Sequence, residues 1–192
     1  MIGASMETPV LRTPRLVLRP LAPSDAPVVQ RRFPRWEIVQ HLVRVPWPYP
    51  ADGAETFLAG ATEEIRTGFK AHWALIPRDG PDELIGIISL WPERPPERDQ
   101  RGFWLDPEFQ GQGLMSEAAD RVTDHALRTL GWPGLWLTNS LDNRPSARVK
   151  ERQGARLVDT EPASYVRGPG TRQIWRLDAE DWLAKRPRAP RD

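Results

Sequence analysis

Apolar side chains recur along this chain with two rhythms, and each rhythm predicts a different element. RLVLRPL (15–21) alternates basic and aliphatic residues, the period-two pattern of a half-buried strand. FKAHWALIP (69–77) and ELIGIISLW (83–91) flank the turn-rich RDGPD and predict an antiparallel hairpin. Shorter strands are predicted at RGFWLD (101–106), GLWLTN (134–139), ARLVDT (155–160) and TRQIWRL (171–177). Helical spacing takes over elsewhere. Met115, Ala119, Val122, Ala126 and Leu130 fall on one stripe and predict an amphipathic helix through Leu130. SDAPVVQRRF (24–33) begins with N-cap chemistry, and DGAE (52–55) has capping-box spacing for a helix to about Thr67. Asn143 caps a helix to Gln153, with Pro145 tolerated in its first turn, and DAEDWLA (178–184) forms a closing helical turn. Three prolines make VRVPWPYP (43–50) a loop, and PERPPERDQ (92–100) is a second, polar one.

Strands and helices in this mixed order predict an α/β (α+β mixed) class. The expected architecture is a central mixed, mostly antiparallel sheet with helices on both faces. A chain of 192 residues is enough for one well-buried core. A single domain is expected over 13–184, with 1–12 as an N-terminal tail and the basic KRPRAPRD (185–192) as a C-terminal tail. Hydrophobic residues at 39% and charged residues at 28% describe a globular chain. With 27 basic against 26 acidic side chains, net charge gives no case for a nucleic-acid partner. The absence of cysteine excludes disulfides, thiolate metal sites and a cysteine nucleophile, and fits a cytoplasmic setting. No apolar run approaches the roughly 18 residues of a membrane span, and MIGASMETP lacks the order of a signal peptide, so no membrane partner is expected.

One stretch carries candidate chemistry. PEFQGQGLMSEA (107–118) places Gly111 and Gly113 between a predicted strand and a predicted helix. The first turn of a helix leaves N–H groups without partners, and with the helix dipole they form an anion site. Glycines remove side chains that would block the approach. A phosphate or pyrophosphate on the backbone of 111–116 is the physical reading, beside the plainer one of a tight turn. No lysine follows Gly113, so a Walker A loop is excluded. A dinucleotide fingerprint would need Gly or Ala where Ser116 stands, and an earlier position in the chain.

Gln110-Gly111-Gln112-Gly113-Leu114-Met115 resembles the acyl-coenzyme A motif of the GNAT superfamily of N-acetyltransferases: Gln or Arg, two residues, Gly, one residue, then Gly or Ala. Met115 departs from it at the last position, and its side chain is expected to turn inward to the core stripe. Other segments resemble the RimJ/RimL branch of that superfamily. These are TPRLVLRPLAPSDA (13–26), VPWPYP (45–50), ELIGIISL (83–90), GFWLDPEFQGQGLMSEA (102–118), the NxxS helix in NRPSARVKERQGA (143–155), and TRQIWRLDAEDWL (171–183). Ala155 stands where that branch commonly has phenylalanine. The likeness therefore spans most of the chain.

The resemblance implies the acyl-CoA N-acyltransferase fold and direct attack of an amine on the thioester of acetyl-coenzyme A in a ternary complex. It implies no metal. The acceptor would be a small amine or the N-terminus of a peptide or protein, and homodimers are common among relatives. Pyrophosphate would rest on Gly111, Gly113, Leu114, Met115 and Ser116, with Gln110 and Gln112 as side-chain helpers. The pantetheine arm would lie where strands 101–106 and 134–139 splay apart, in contact with Asn143. The backbone N–H near Leu105 would steady the oxyanion, and Ser146 would return a proton to the thiolate. The residues alone also let Asn143 and Ser146 be ordinary helix-start residues. For the acceptor-side base, Glu93 and His41 are the candidates, with Glu97, Glu161 and His72 weighed beside them. Arg148 and Arg152 are candidates for coenzyme A phosphates, or simply charges on a solvated helix face. Two alternatives keep the same loop: another acyl group such as succinyl, and a non-catalytic coenzyme A sensor that lacks an acceptor cleft.

Overall fold

The computed structural model describes residues 6–186. The N-terminal half builds an antiparallel sheet in the order β1 (Leu11–Arg12), β2 (Leu16–Pro20), β3 (Ala71–Pro77), β4 (Gly86–Leu90), β5 (Arg101–Leu105). Between β2 and β3 come α1 (Ala26–Arg32), α2 (Trp36–Val39) and α3 (Gly53–Arg66). A single helical turn at Pro107–Phe109 leads into α4 (Leu114–Asp124). The C-terminal half adds β6 (Gly134–Ser140), α5 (Arg144–Gln153), β7 (Arg156–Tyr165), β8 (Gly168–Asp178) and α6 (Ala179–Lys185). Its strands form a second antiparallel sheet in the order β6-β8-β7.

Alternation along the strands divides the core, because successive side chains point to opposite faces. Trp73 and Leu75 of β3, with Ile88 and Leu90 of β4, join one cluster with Ala118, Ala119 and Val122 of α4, Ala147 of α5 and Trp182 of α6. Ala74 and Ile87 point the other way and join Val29 of α1, Val39 of α2 and Leu58 of α3. Helices thus cover both faces, as the pattern predicts. The expected sheet is divided in two. The halves meet where the Gln100 N–H donates to the Trp136 carbonyl (2.9 Å) and the Gln100 side-chain oxygen accepts the Trp136 N–H (2.9 Å).

Three elements differ from the sequence expectation. The helix expected through Leu130 is α-helical only to Asp124 and continues as a π-helical turn over His125–Thr129. The strands expected at 155–160 and 171–177 extend into one long hairpin. Pro162 falls within β7, which is an edge strand and has no need of that N–H on its outer side. The expected N-terminal tail is shorter than 1–12. Met6 and Leu11 are buried in the main core, and the Trp73 indole N–H donates to the Pro9 carbonyl at 2.7 Å. Of the expected basic C-terminal tail, only Lys185 and Arg186 lie within the described residues.

Arg32 at the end of α1 fastens the loop that follows β5. Its guanidinium donates to Asp106 (2.6 Å) and to Glu83 (2.5 Å). Asp106 is fully buried and also accepts the Glu108 N–H at 3.1 Å. Removing one partner leaves the other charge uncompensated in the interior. R32M is expected to lower unfolding stability by about 3 kcal/mol, measured by chemical denaturation. A loss below about 0.5 kcal/mol, the size of an exposed pair, would show that Asp106 does not depend on Arg32.

Candidate functional site

A cleft opens between β5 and β6 beyond Gln100. The Asp106 N–H donates to the Ile85 carbonyl (2.8 Å) across the Gly86/Leu105 pair, which marks that pair as the non-hydrogen-bonded kind. By alternation, Phe103 and Leu105 aim their N–H and C=O groups away from β4, into the cleft. The cleft widens into a cavity of about 310 Å³, lined by Leu105, Gly111, Met115, Asn143, Ser146 and Arg152 among others.

One end of this cavity is the glycine turn. Gly111 (φ 76°) and Gly113 (φ 78°) are both left-handed, a conformation that costs any residue with a Cβ, and Gly113 is the N-cap of α4. The first N–H groups of α4 therefore face the cavity without a capping side chain. Arg15 braces the turn from outside. Its guanidinium donates to the Gln112 carbonyl (2.9 Å) and pairs with Glu117 (2.7 Å). Burial would raise the Glu117 carboxyl, but bonds from Thr13 and Arg15 hold it below the usual range. Leu114 and Met115 are buried in the main core, so the Met115 side chain turns inward as expected. The Gln110 amide donates to the Leu105 carbonyl (2.9 Å), and the Gln112 amide reaches back to the Glu108 carbonyl (3.4 Å). Both amides bond to carbonyls beside the turn, and Gln110 also lines the cavity. Ser116, half-buried, lines the cavity.

Helix α5 forms the opposite wall. Asn143 is its N-cap, and its side-chain oxygen accepts the Ser146 N–H at 3.1 Å. Its amide hydrogens remain for a ligand in the cavity. Ser146 is buried, and its Oγ accepts from Lys150 Nζ at 2.8 Å, one turn on. Lys150 is itself 2% exposed, with the Phe103 ring 5.5 Å from Nζ. Burial, together with the charge of Arg101, pushes the ammonium well below the usual lysine range, while Asp99 opposes the shift. Arg101 is buried too and is lowered to about 10 by desolvation, against Asp120 and Asp99. It donates to Thr123 and Gln153. Asp99 is raised to about 6 by burial, against Thr138 and the cations Lys150, Arg172 and Arg101. Sequence reasoning missed Lys150, Arg101 and Asp99. The usable signal was that Lys150 lies one turn after Ser146 on an otherwise amphipathic helix. Arg148 and Arg152 line the cavity from the same helix.

A second cavity, of about 460 Å³, lies on the face that carries α1 and α3. Leu42, Phe103 and Trp104 line both cavities, so the two meet there. The larger one is apolar: Val29, Phe33, Val45 and Ile87 are among its walls, and Phe33 packs edge-on against Tyr49 and Trp104. Trp47 does not line it. The two acceptor-side candidates lie elsewhere. His41 lines the smaller cavity, with its ring lowered by burial and by Arg167, against Asp142. Glu93 lines neither; its carboxylate accepts the Trp136 indole N–H at 3.0 Å, which holds it at the junction of the sheets. Glu161 is occupied by Arg98 and Arg172 on the β7–β8 hairpin. Among the described residues, no cluster of His, Cys, Asp or Glu is arranged to hold a metal ion.

Comparison with known proteins places this geometry. The acetyltransferase (GNAT) domain model matches residues 15–156. The chain is 34% identical over 74 residues to the ribosomal-protein-serine acetyltransferase of Escherichia coli K12, a match that covers 38% of this chain and 41% of that protein. The match thus spans about two-fifths of that curated relative. Similar solved structures include RimJ of Mycobacterium smegmatis in complex with a coenzyme A disulfide, at 19% identity and TM-score 0.76, covering 97% of both chains. RimL, a ribosomal-protein α-N acetyltransferase in complex with coenzyme A, matches at 20% identity and TM-score 0.74, covering 89% of this chain and 97% of that one. At these identities the structures establish a shared fold.

Lys150 gives a measurable pH signature. An unfolded lysine titrates near 10.4, at about pH 10, whereas the folded Lys150 releases its proton at lower pH. Between those two values the unfolded chain binds more protons, so stability rises with pH. K150M lacks this step. The stability of the wild type relative to K150M is therefore expected to increase as pH rises from the lowered Lys150 value toward about pH 10, read from thermal unfolding. Parallel curves would mean that Lys150 titrates as an ordinary lysine.

Proposed function

The chain belongs to the GNAT acetyltransferase family, and on that premise we propose that it moves an acetyl group from acetyl-coenzyme A to a primary amine by direct attack in a ternary complex. The observation that carries this reading is the pair of left-handed glycines opening α4 at the end of an unpaired strand edge. That is an anion cradle joined to a track for an amide-rich chain. The backbone of 111–116 would hold the pyrophosphate, and Arg148 and Arg152 are within the same cavity for further phosphate charge. An extended pantetheine would pair with the cleft-facing groups of β5, as an added strand does. The Asn143 amide would meet the same arm.

The roles at the reacting carbon follow from the same frame. The Leu105 N–H aims into the cleft and is the donor for the oxyanion, a contribution worth roughly 3 kcal/mol in comparable sites. Ser146, backed by Lys150, is the group to reprotonate the departing thiolate. The acceptor amine would enter through the apolar cavity and reach the acetyl group at Phe103 and Trp104. This second cavity supports transfer over a sensing role, which would need no acceptor cleft. The acceptor is a small amine or a peptide N-terminus, and the reaction is assigned to the cytoplasm. Among the described residues, no helix is long and apolar enough to cross a membrane.

Thiol release from acetyl-coenzyme A in the presence of an amine and peptide panel tests the reaction, with succinyl-coenzyme A as the competing donor. Release with succinyl-coenzyme A alone would replace the acetyl reading; binding without release on any amine would replace transfer by sensing. G113V tests the cradle. A branched side chain at φ 78° must distort the turn, so acetyl-coenzyme A affinity is expected to fall at least about tenfold by calorimetry. Unchanged affinity would remove the glycine turn from the site.

A further inference from the structure

The apolar cavity has a polar floor that neither the fold nor coenzyme A binding accounts for. Among the described residues lining it, Ser89 is the one buried polar side chain; Arg44, Asp52 and Thr56 are exposed. Ser89 on β4 pairs across the sheet with His72 on β3. Its Oγ lies 2.7 Å from His72 Nδ1, and His72 Nε2 lies 2.7 Å from a carboxylate oxygen of Glu64 on α3. Glu64 in turn meets Lys70 at 2.7 Å and is partly open to solvent. A continuous line of hydrogen bonds therefore runs from the cavity floor to the protein surface.

The direction of that line follows from donor and acceptor chemistry. An ionised carboxylate only accepts, so Nε2 carries the hydrogen and donates it to Glu64. Nδ1 of the neutral ring then has only its lone pair and accepts the Ser89 hydroxyl hydrogen. What Ser89 presents to the cavity is thus an acceptor, the group needed to receive N–H from an amine.

We propose that Ser89, His72 and Glu64 form the proton relay for the acceptor amine, with Ser89 as the contact and the other two acting through it. The inference rests on the transferase reading. As the amine nitrogen bonds to the acetyl carbon and the C–S bond breaks, one N–H proton passes to Ser89 Oγ. The Ser89 proton moves to Nδ1, and the imidazolium is held between Ser89 and Glu64. The thiolate takes its proton from the Ser146 side, so amine and thioester become amide and thiol with no charge left over. The imidazolium then returns to neutrality by giving the Nδ1 proton back through Ser89 Oγ to water in the cavity, so Nε2 keeps its hydrogen on Glu64 and the starting tautomer is restored.

The electrostatics agree with this direction. Burial lowers His72 below the ordinary histidine value, Glu64 opposes the shift, and Lys70 adds to it. Glu64 and Lys70 are the charged groups that act on the ring. Glu64 is held below the usual range, because Lys70 and His72 outweigh its desolvation. At neutral pH the ring is neutral and the carboxylate ionised, the state the relay needs. A base of this kind is lost as pH falls through the lowered His72 value, so activity is predicted to persist below the ordinary histidine pKa of about 6.5.

Wild type, S89A, S89T and H72Q are compared by thiol release with acetyl-coenzyme A from about pH 5.5 to about pH 9. The amine probes are phenethylamine, chosen for the apolar walls, and benzylhydrazine, whose low basicity removes most of the need for a base. With phenethylamine, S89A and H72Q are expected to lose roughly 100-fold in kcat with little change in KM, and S89T to recover most of it. With benzylhydrazine the loss should shrink to less than about fivefold. An unchanged pH profile in S89A, or equal losses on both amines, would overturn the relay. Calorimetric binding of acetyl-coenzyme A to every variant separates this outcome from failure of the transferase reading. A wild type that binds acetyl-coenzyme A yet releases no thiol with either probe or any panel amine would sink both.

Discussion

The structure turns on how Gln100 ends the contact between its two sheets. Its N–H and its side-chain oxygen satisfy the carbonyl and the N–H of Trp136 together, so one residue closes the backbone of its neighbour on both counts. Nothing continues the ladder beyond it. Strands β5 and β6 are then free to diverge, and Phe103 and Leu105 are left with backbone groups directed into a cleft. An open strand edge is ordinarily a liability. Here it is shielded between α4 and α5, where, on the proposed reading, a guest with amides would complete the pairing.

Divergence leaves a wedge under the cleft, and polar residues occupy it. Arg101, Lys150, Asp99, Thr123 and Gln153 are largely enclosed, and the bonds from Arg101 to Thr123 and Gln153 tie β5 to α4 and α5. Burying cations in this way costs stability unless each is well paired. Lys150 has Ser146 as its near partner and no carboxylate at contact distance, so its ammonium form is disfavoured. The same helix turn thus caps α5 through Asn143, holds the Ser146 backbone in place, and sets Lys150 behind the Ser146 hydroxyl. On the proposed reading, capping and chemistry would fall to the same residues, so the two readings of Asn143 and Ser146 do not compete.

The fold was readable in the sequence wherever burial repeated with a clean period. The β3–β4 hairpin and the α4 stripe are examples, since each residue's face follows from its neighbours. The glycine turn was readable too, because a left-handed turn before a helix demands glycine at particular positions. Legibility failed where a residue's role depends on a partner distant in sequence. His72 reads as one more position in an alternating strand; only pairing with Ser89 and the approach of Glu64 from α3 make it part of a line. The bonds of Gln110 and Gln112 to nearby carbonyls, and of the Glu93 carboxylate to an indole on the other sheet, likewise depend on partners that no sequence pattern shows.

On the proposed transferase reading, the two cavities also set how protons would travel. Cofactor and acceptor would approach the transfer point from different cavities, which meet at Phe103 and Trp104. The amine would give up its proton beside Ser89 and His72, while the thiolate would take one beside Ser146 and Lys150. Each side would then reset through solvent in its own cavity, at Ser89 on one side and near Arg148 and Arg152 on the other. The relay would call for a neutral His72 and a Lys150 that can still supply a proton, and burial lowers both groups. Glu64 opposes the first shift and Asp99 the second, so on the proposed reading the working pH would be tuned by carboxylates that touch neither substrate.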